Sequence, residues 1–391
     1  MKRVVVTGMG GLSPLGHDWK TVSARLKGLQ NAVELQESWS EFEGMHTRLG
    51  VAAAPFQLNE SVYTRRTTRS MGRVALMATR ATEMALADAG LLGDPILKSG
   101  KVGISFGSSS GSPRSLADFA RMLVDKSTEG ISATTYIKMM AHTAPVNIGV
   151  FFGLTGRIFT TSSACTSASQ GIGYAYEAVK YGHQVAMVAG GAEELDVTQA
   201  AVFDTLFATS SKNDAPKTTP RPFDSDRDGL VIGEGAGALI LEELEHAQAR
   251  GATIYAEMIG FGTYTYGTHV TNPNWETMAT AMKLALADAG LAAEAIGYVN
   301  AHGTATDPGD VAESKATHHV LGERTPISSL KSYMGHTLGA CGALEAWMTI
   351  EMMREGWFSP TINLLNVDPR CAPLDYLLCD GRHLETDVVM T

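Results

Sequence analysis

The chain has 391 residues, 44% hydrophobic and 18% charged, an ordinary globular composition far from the disordered and coiled-coil classes. Thirty-one Lys and Arg against 41 Asp and Glu leave a net charge of −10, which excludes the broad basic surface of a general nucleic-acid binder. Four cysteines, at 165, 341, 371 and 379, are too scattered for a disulfide framework and form no C-x-x-C pair for zinc.

In chain order, residues 3–7 form a short apolar run closed by Gly8, a buried first strand rather than a signal peptide. No run approaches the roughly 20 apolar residues of a membrane span, so a soluble, cytoplasmic protein is expected. Gly8-Met9-Gly10-Gly11-Leu12-Ser13 imitates a dinucleotide fingerprint, but the third glycine is missing and Pro14 stands where the helix would begin. A helical pattern over 72–90 precedes a strand at 101–106. Residues 108–152 read as an excursion with its own helices, a place for a lid or a subunit contact. A strand at 157–161 runs into Ser162-Ser163-Ala164-Cys165-Thr166-Ser167, which opens a small-residue helix over 163–179. Asp224 to Gly229 imitates a calcium loop, but the twelfth position is Gly235 instead of Glu.

Ala85-Leu86-Ala87-Asp88-Ala89-Gly90-Leu91 recurs identically at 285–291, again ending a helical pattern (275–290) between two strands (254–259 and 296–301). A second small-residue helix follows at 335–352. The repeated strand–helix–strand order predicts two α/β halves, 1–253 and 254–391, packed without a flexible linker.

Cys165 at a helix start would meet unpaired backbone N–H groups that favour the thiolate and can hold an oxyanion. A buried structural cysteine is the commonest fate of the residue type, and on this local pattern the two readings stand level. His302 after a strand end and His336 at the second small-residue helix tilt the balance. Duplicated halves can bring all three loops to one central seam. Metal chemistry is a weak reading, since no H-E-x-x-H occurs and His318 and His319 point apart on a helix, and serine hydrolysis is a weak reading too, no Gly-x-Ser-x-Gly elbow being expected.

Five motifs together resemble the β-ketoacyl-[acyl carrier protein] synthases, condensing enzymes of the thiolase fold. They are Ser163 through Ser167, Asp226-Arg227-Asp228-Gly229, Asn300 through Thr306, Gly309-Asp310 and Lys331 through His336, in order along the whole chain. The resemblance implies an α/β thiolase fold of two duplicated halves in a five-layered αβαβα core. It also implies a catalytic triad of Cys165, His302 and His336, with no metal and no cofactor, the substrates riding on the phosphopantetheine of an acyl carrier protein. Lys331 and Glu313 are implied as supporting residues, Glu313 projecting toward Lys331, and Thr304 and Thr306 as pantetheine contacts. Arg65, Arg66, Arg69 and Arg73 occupy the carrier-docking place, whose alternative is a solvated helix face.

The family is dimeric. A homodimer and a heterodimer with a chain-length-factor-like subunit stay open, with Met139-Met140 and Phe151-Phe152 in the contact. The resemblance implies a Gly-Phe loop that would follow Thr391. Tyr333-Met334, with Tyr264 and Tyr266, hints at a specialised acyl chain, with fatty-acid, polyketide and aryl-polyene products open. The competing readings are a non-catalytic chain-length factor and a thiolase acting on coenzyme A thioesters.

Overall fold

The computed structural model describes residues 1–269 and 272–391. Six strands form the first sheet: β1 (Val4–Leu12), β2 (Val102–Gly107), β3 (Ile158–Thr161), β4 (Ala186–Glu193), β5 (Gly235–Glu243) and β6 (Ala256–Met258), in the order β3-β2-β4-β5-β1-β6. Pairs β2–β3 and β2–β4 are parallel; the other neighbours are antiparallel. The second sheet is parallel throughout, in the order β9-β8-β7-β10: β7 (Tyr298–Asn300), β8 (Pro326–Ser328), β9 (Asp375–Tyr376) and β10 (Val389–Met390).

The strands bury side chains on both faces because helices cover both. On β4, Met187 and Ala189 face one core, while Ala186, Val188 and Ala192 face another. Outside the first sheet lie α1 (Arg65–Thr68), α2 (Arg73–Asp88), and three helices of the 108–152 excursion: α3 (Leu116–Asp125), α4 (Ala133–Met139) and α5 (Thr143–Phe152). Of these, α2 and α5 pack together and against the sheet. Between the sheets run α6 (Ser167–Lys180) and α11 (Cys341–Glu355), whose apolar faces share one cluster with Leu239, Leu241, Tyr298 and Phe358. After β4 comes α7 (Val197–Asp204), whose Ala200 packs in a small cluster with Trp39, Leu230 and Leu338, and α8 (Trp275–Ala289) and α9 (Asp307–Leu321) close the far side. The stack is αβαβα.

The repeated heptapeptide has a packing reason. A Cβ on Gly8 or Gly10 would strike the Ala85 or Ala81 carbonyl of α2, and one on Gly260 or Gly262 would strike Ala285 or Ala281 of α8. In each half the Asp accepts the amide between the two glycines, Met9 N–H to Asp88 (2.9 Å) and Phe261 N–H to Asp288 (3.1 Å). The division at residue 253 is not a break in the sheet, since β6 pairs with β1 across it. Two helix starts also differ from expectation. α6 begins at Ser167 because Ala164 is left-handed (φ 53°), and α11 begins at Cys341 after a short helix α10 (Lys331–Met334) and a turn.

Candidate active site

Cys165 sits on the elbow between β3 and α6. The Ser163 N–H donates to Ser167 Oγ (2.9 Å), which itself donates to the Ala164 carbonyl (2.7 Å). The Thr166 hydroxyl donates to the Ser163 carbonyl (2.8 Å). These bonds hold Ala164 in its strained conformation and lift the thiol off the helix.

His336 lies in the turn between α10 and α11 and is only 1% exposed. Its N–H donates to Val231 O (2.7 Å) and its carbonyl accepts from Gly233 N–H (2.8 Å), so the turn is stitched to the first half. The Leu338 N–H donates to His336 Nδ1 (3.3 Å), which leaves the ring proton on Nε2, 2.9 Å from Cys165 Sγ. His302 follows β7, its ring at right angles to that of His336 with centroids 5.1 Å apart. One ligating atom each of Cys165, His302 and His336 lies within 4.8 Å of the others.

Burial, and then the Lys331 charge, depress both imidazoles below the usual histidine range, most securely for the buried His336, since His302 is exposed at the mouth of the site. Both are neutral near pH 7. For Cys165 the expectation of a lowered thiol pKa is not met: burial pushes it up to about 11, opposed by Lys331 and by its own backbone N–H.

Lys331 is 1% exposed, and its ion-pair partner is Glu345 of α11, not Glu313. Glu313 on α9 accepts the N–H groups of His302 (2.6 Å) and Gly303 (2.7 Å), fixing the loop that carries the histidine. Burial alone would strip the Lys331 charge, but Glu345 restores it and keeps the ammonium protonated. Thr304 and Thr306 hydroxyls bond each other (2.9 Å).

The arginines divide. Arg65, Arg66 and Arg69 are exposed on and just after α1, without an ion-pair partner among the described residues. Arg73 instead grips the buried Glu234 with two guanidinium nitrogens, so it is committed to the fold rather than free for a carrier.

Several residues went unnoticed in the sequence. Glu345 is one. Glu193, at the end of β4 and fully buried, accepts from Ser109 N–H (2.8 Å), Gly339 N–H (3.0 Å), Ser108 Oγ (3.1 Å) and Gln199 Nε2 (3.2 Å), tying the His336 turn to the loop after β2. That loop, Gly107-Ser108-Ser109-Ser110-Gly111, has the G-x-S-x-G spacing of a serine nucleophile elbow, so the expectation that the chain lacks this motif is wrong. Its Ser109 hydroxyl is spent on Glu193, and no His bonds it among the described residues. The aspartates at 224–228 do not converge on a cation. Asp224 accepts Leu365 N–H (2.7 Å) and Asn366 N–H (2.9 Å), while Arg227 bonds Asp368 (2.6 Å) and the Asp307 carbonyl (2.8 Å). Asp310, pushed up to about 7 by burial, accepts from Phe223 and Ala305 N–H and joins this network to the His302 loop.

The chain matches the profile "Beta-ketoacyl synthase, N-terminal domain" over residues 1–247 and "Beta-ketoacyl synthase, C-terminal domain" over 255–365. It is 38% identical over 380 residues to 3-oxoacyl-[acyl-carrier-protein] synthase 2 of Vibrio cholerae, covering 93% of this chain and 89% of that protein. A crystal structure of a beta-ketoacyl synthase from Burkholderia phymatum superposes with TM-score 0.97 and 57% identity, over 99% of this chain and 94% of the other. A type II polyketide ketosynthase, solved with its acyl-carrier protein and bound to the hexaketide, superposes with TM-score 0.86 and 29% identity over 98% and 94%.

Proposed function

The chain belongs to the β-ketoacyl synthase family, and from that premise we propose that it is a 3-oxoacyl-[acyl carrier protein] synthase with Cys165 as nucleophile and His302 and His336 as its partners. An acyl group passes from a carrier thioester to Cys165, the C–S bond to the carrier breaking as the new C–S bond forms. The thiol proton of Cys165 leaves for the carrier sulfur. His302 can relay it, because its neutral ring has no hydrogen-bond partner among the described residues and lies within reach. The Cys165 N–H, which already faces the sulfur, can take the oxyanion.

Malonyl-carrier then loses CO2, and the two imidazoles donate to the enolate oxygen that develops. The enolate carbon attacks the acyl-Cys165 carbonyl, the C–S bond breaks, Cys165 takes up one proton from solvent, and the carrier holds a 3-oxoacyl chain two carbons longer. One observation carries this reading: the Leu338 N–H on His336 Nδ1 aims a ring proton from Nε2 at the reaction centre, so His336 is a donor and not a base.

The exposed Arg65, Arg66 and Arg69 offer an acidic carrier a positive edge against the overall negative charge. A second subunit fits over the edge strand β3 and the 108–152 excursion, where Val124 (78%) and Val150 (80%) are exposed; Phe151 lies tilted against Tyr63 and edge-on to Phe152 there. Incubation with acyl-loaded carrier is expected to add one acyl mass to the wild type and none to Cys165→Ala. A Cys165→Ala protein that still becomes acylated would overturn the assignment.

A further inference from the structure

Cys341 opens α11, the central helix of the second half, as α6 follows Cys165 in the first. The two helix starts meet at close range: a Cβ on Gly342 would run into Ser169 of α6. Cys341 is 2% exposed, and its Sγ lies 3.2 Å from the backbone carbonyl oxygen of Cys165. Burial pushes its thiol up, so it carries a proton and is the donor. We propose that Cys341 is a positioning residue for the nucleophile, its S–H holding the Cys165 carbonyl and through it the backbone angle that aims Sγ at His336.

The elbow gives this bond leverage. Ala164, immediately before the nucleophile, is left-handed (φ 53°), and the bonds that hold it run from Ser163, Thr166 and Ser167 on the elbow itself. Cys341 ties the same elbow to the other half of the molecule, 176 residues away. Without a donor there, the part-buried carbonyl loses this partner and can turn, carrying the Cys165 side chain with it.

This inference rests on the synthase reading, and it separates the two half-reactions: acylation depends on where Sγ points, whereas malonyl decarboxylation depends on the histidines. Cys341→Ala and Cys341→Val, which lack a donor, are compared with Cys341→Ser, which keeps one. Single-turnover acylation of Cys165 and its alkylation by iodoacetamide are expected to slow about five- to tenfold in the Ala and Val proteins, as for the loss of one buried hydrogen bond. Decarboxylation of malonyl-carrier stays near the wild-type rate, and Ser restores acylation. Equal acylation and alkylation in all four proteins overturns the proposal, and so does a loss shared equally by both half-reactions. A wild type that alkylates at Cys165 but takes no acyl group would overturn the synthase reading instead, while the alkylation series still decides the part played by Cys341.

Discussion

Replacing His336 with Ala tests the donor geometry most directly. The ring proton on Nε2 is fixed by a single backbone contact, Leu338 N–H to Nδ1 at 3.3 Å, and the ring is 1% exposed, so no water competes for the enolate. Losing one such preorganised donor costs about 10²–10³ in rate, or about 2.7–4 kcal/mol of transition-state stabilisation. Decarboxylation of malonyl-carrier should fall by that factor in His336→Ala. Acylation of Cys165 should fall by much less, since only one hydrogen bond to sulfur is lost. The pH profile follows from the same geometry. Burial and Lys331 both disfavour the imidazolium, so the neutral form persists on the acid side of the usual histidine pKa. Activity is then lost only as pH falls through the lowered value, and wild-type decarboxylation should be level from about pH 8 to about pH 6. An acid limb centred near the ordinary value of about 6.5 would show that the imidazoles titrate freely and refute the electrostatic account. A His336→Ala protein decarboxylating within about tenfold of wild type would refute the donor role.

Charge reversal at Arg66 and Arg69 should raise KM for carrier-bound substrates, leave kcat near wild type and not shift the melting temperature. Arg73→Ala should instead lower the melting temperature, because Glu234 is left buried without its cation. Glu345→Ala strands the Lys331 ammonium in the core and should cost about 3–5 kcal/mol of stability in denaturant titration. Replacing both, Lys331→Met with Glu345→Leu, should return most of that stability. Without the lysine charge the histidines become easier to protonate, so the acid limb of decarboxylation should move to higher pH; an unmoved limb would remove Lys331 from the account.

The layered fold was legible because the Ala-rich heptapeptide and its flanking strands each lie on a short stretch of chain and recur. The Gly-x-Gly strands those helices press against, and the Asp88 bond to the Met9 amide 79 residues away, emerge only once the fold has closed. The convergence of Cys165, His302 and His336 on one place was legible for a related reason, since each stands in a run of small residues at the end of a strand or the start of a helix. The acids that hold the triad were not. Glu345 sits in an apolar helical run, Ala343-Leu344-Glu345-Ala346, and Glu193 closes an apolar strand. Glu193 finds its amides 84 and 146 residues away, distances that only the fold closes. Glu313 does face the Lys331 charge, but the ion pair itself goes to Glu345, because two carboxylates approach the same ammonium. The loop of His302 needs one of them for its amides, and α11 supplies the other.

The thiol itself shows which effect wins. A cysteine just before a helix suggests a stabilised thiolate, but desolvation is a property of the packed molecule, and here it outweighs Lys331 and the local amide to leave the thiol up at about 11. That is compatible with catalysis because acyl transfer exchanges one thiol for another and consumes no net proton. Charge on sulfur is needed only while the carbonyl is attacked, when Lys331, the Cys165 amide and the His336 Nε2 proton all face it. A resting thiolate would gain from those same contacts before substrate arrives, which would deepen the ground state and raise the barrier.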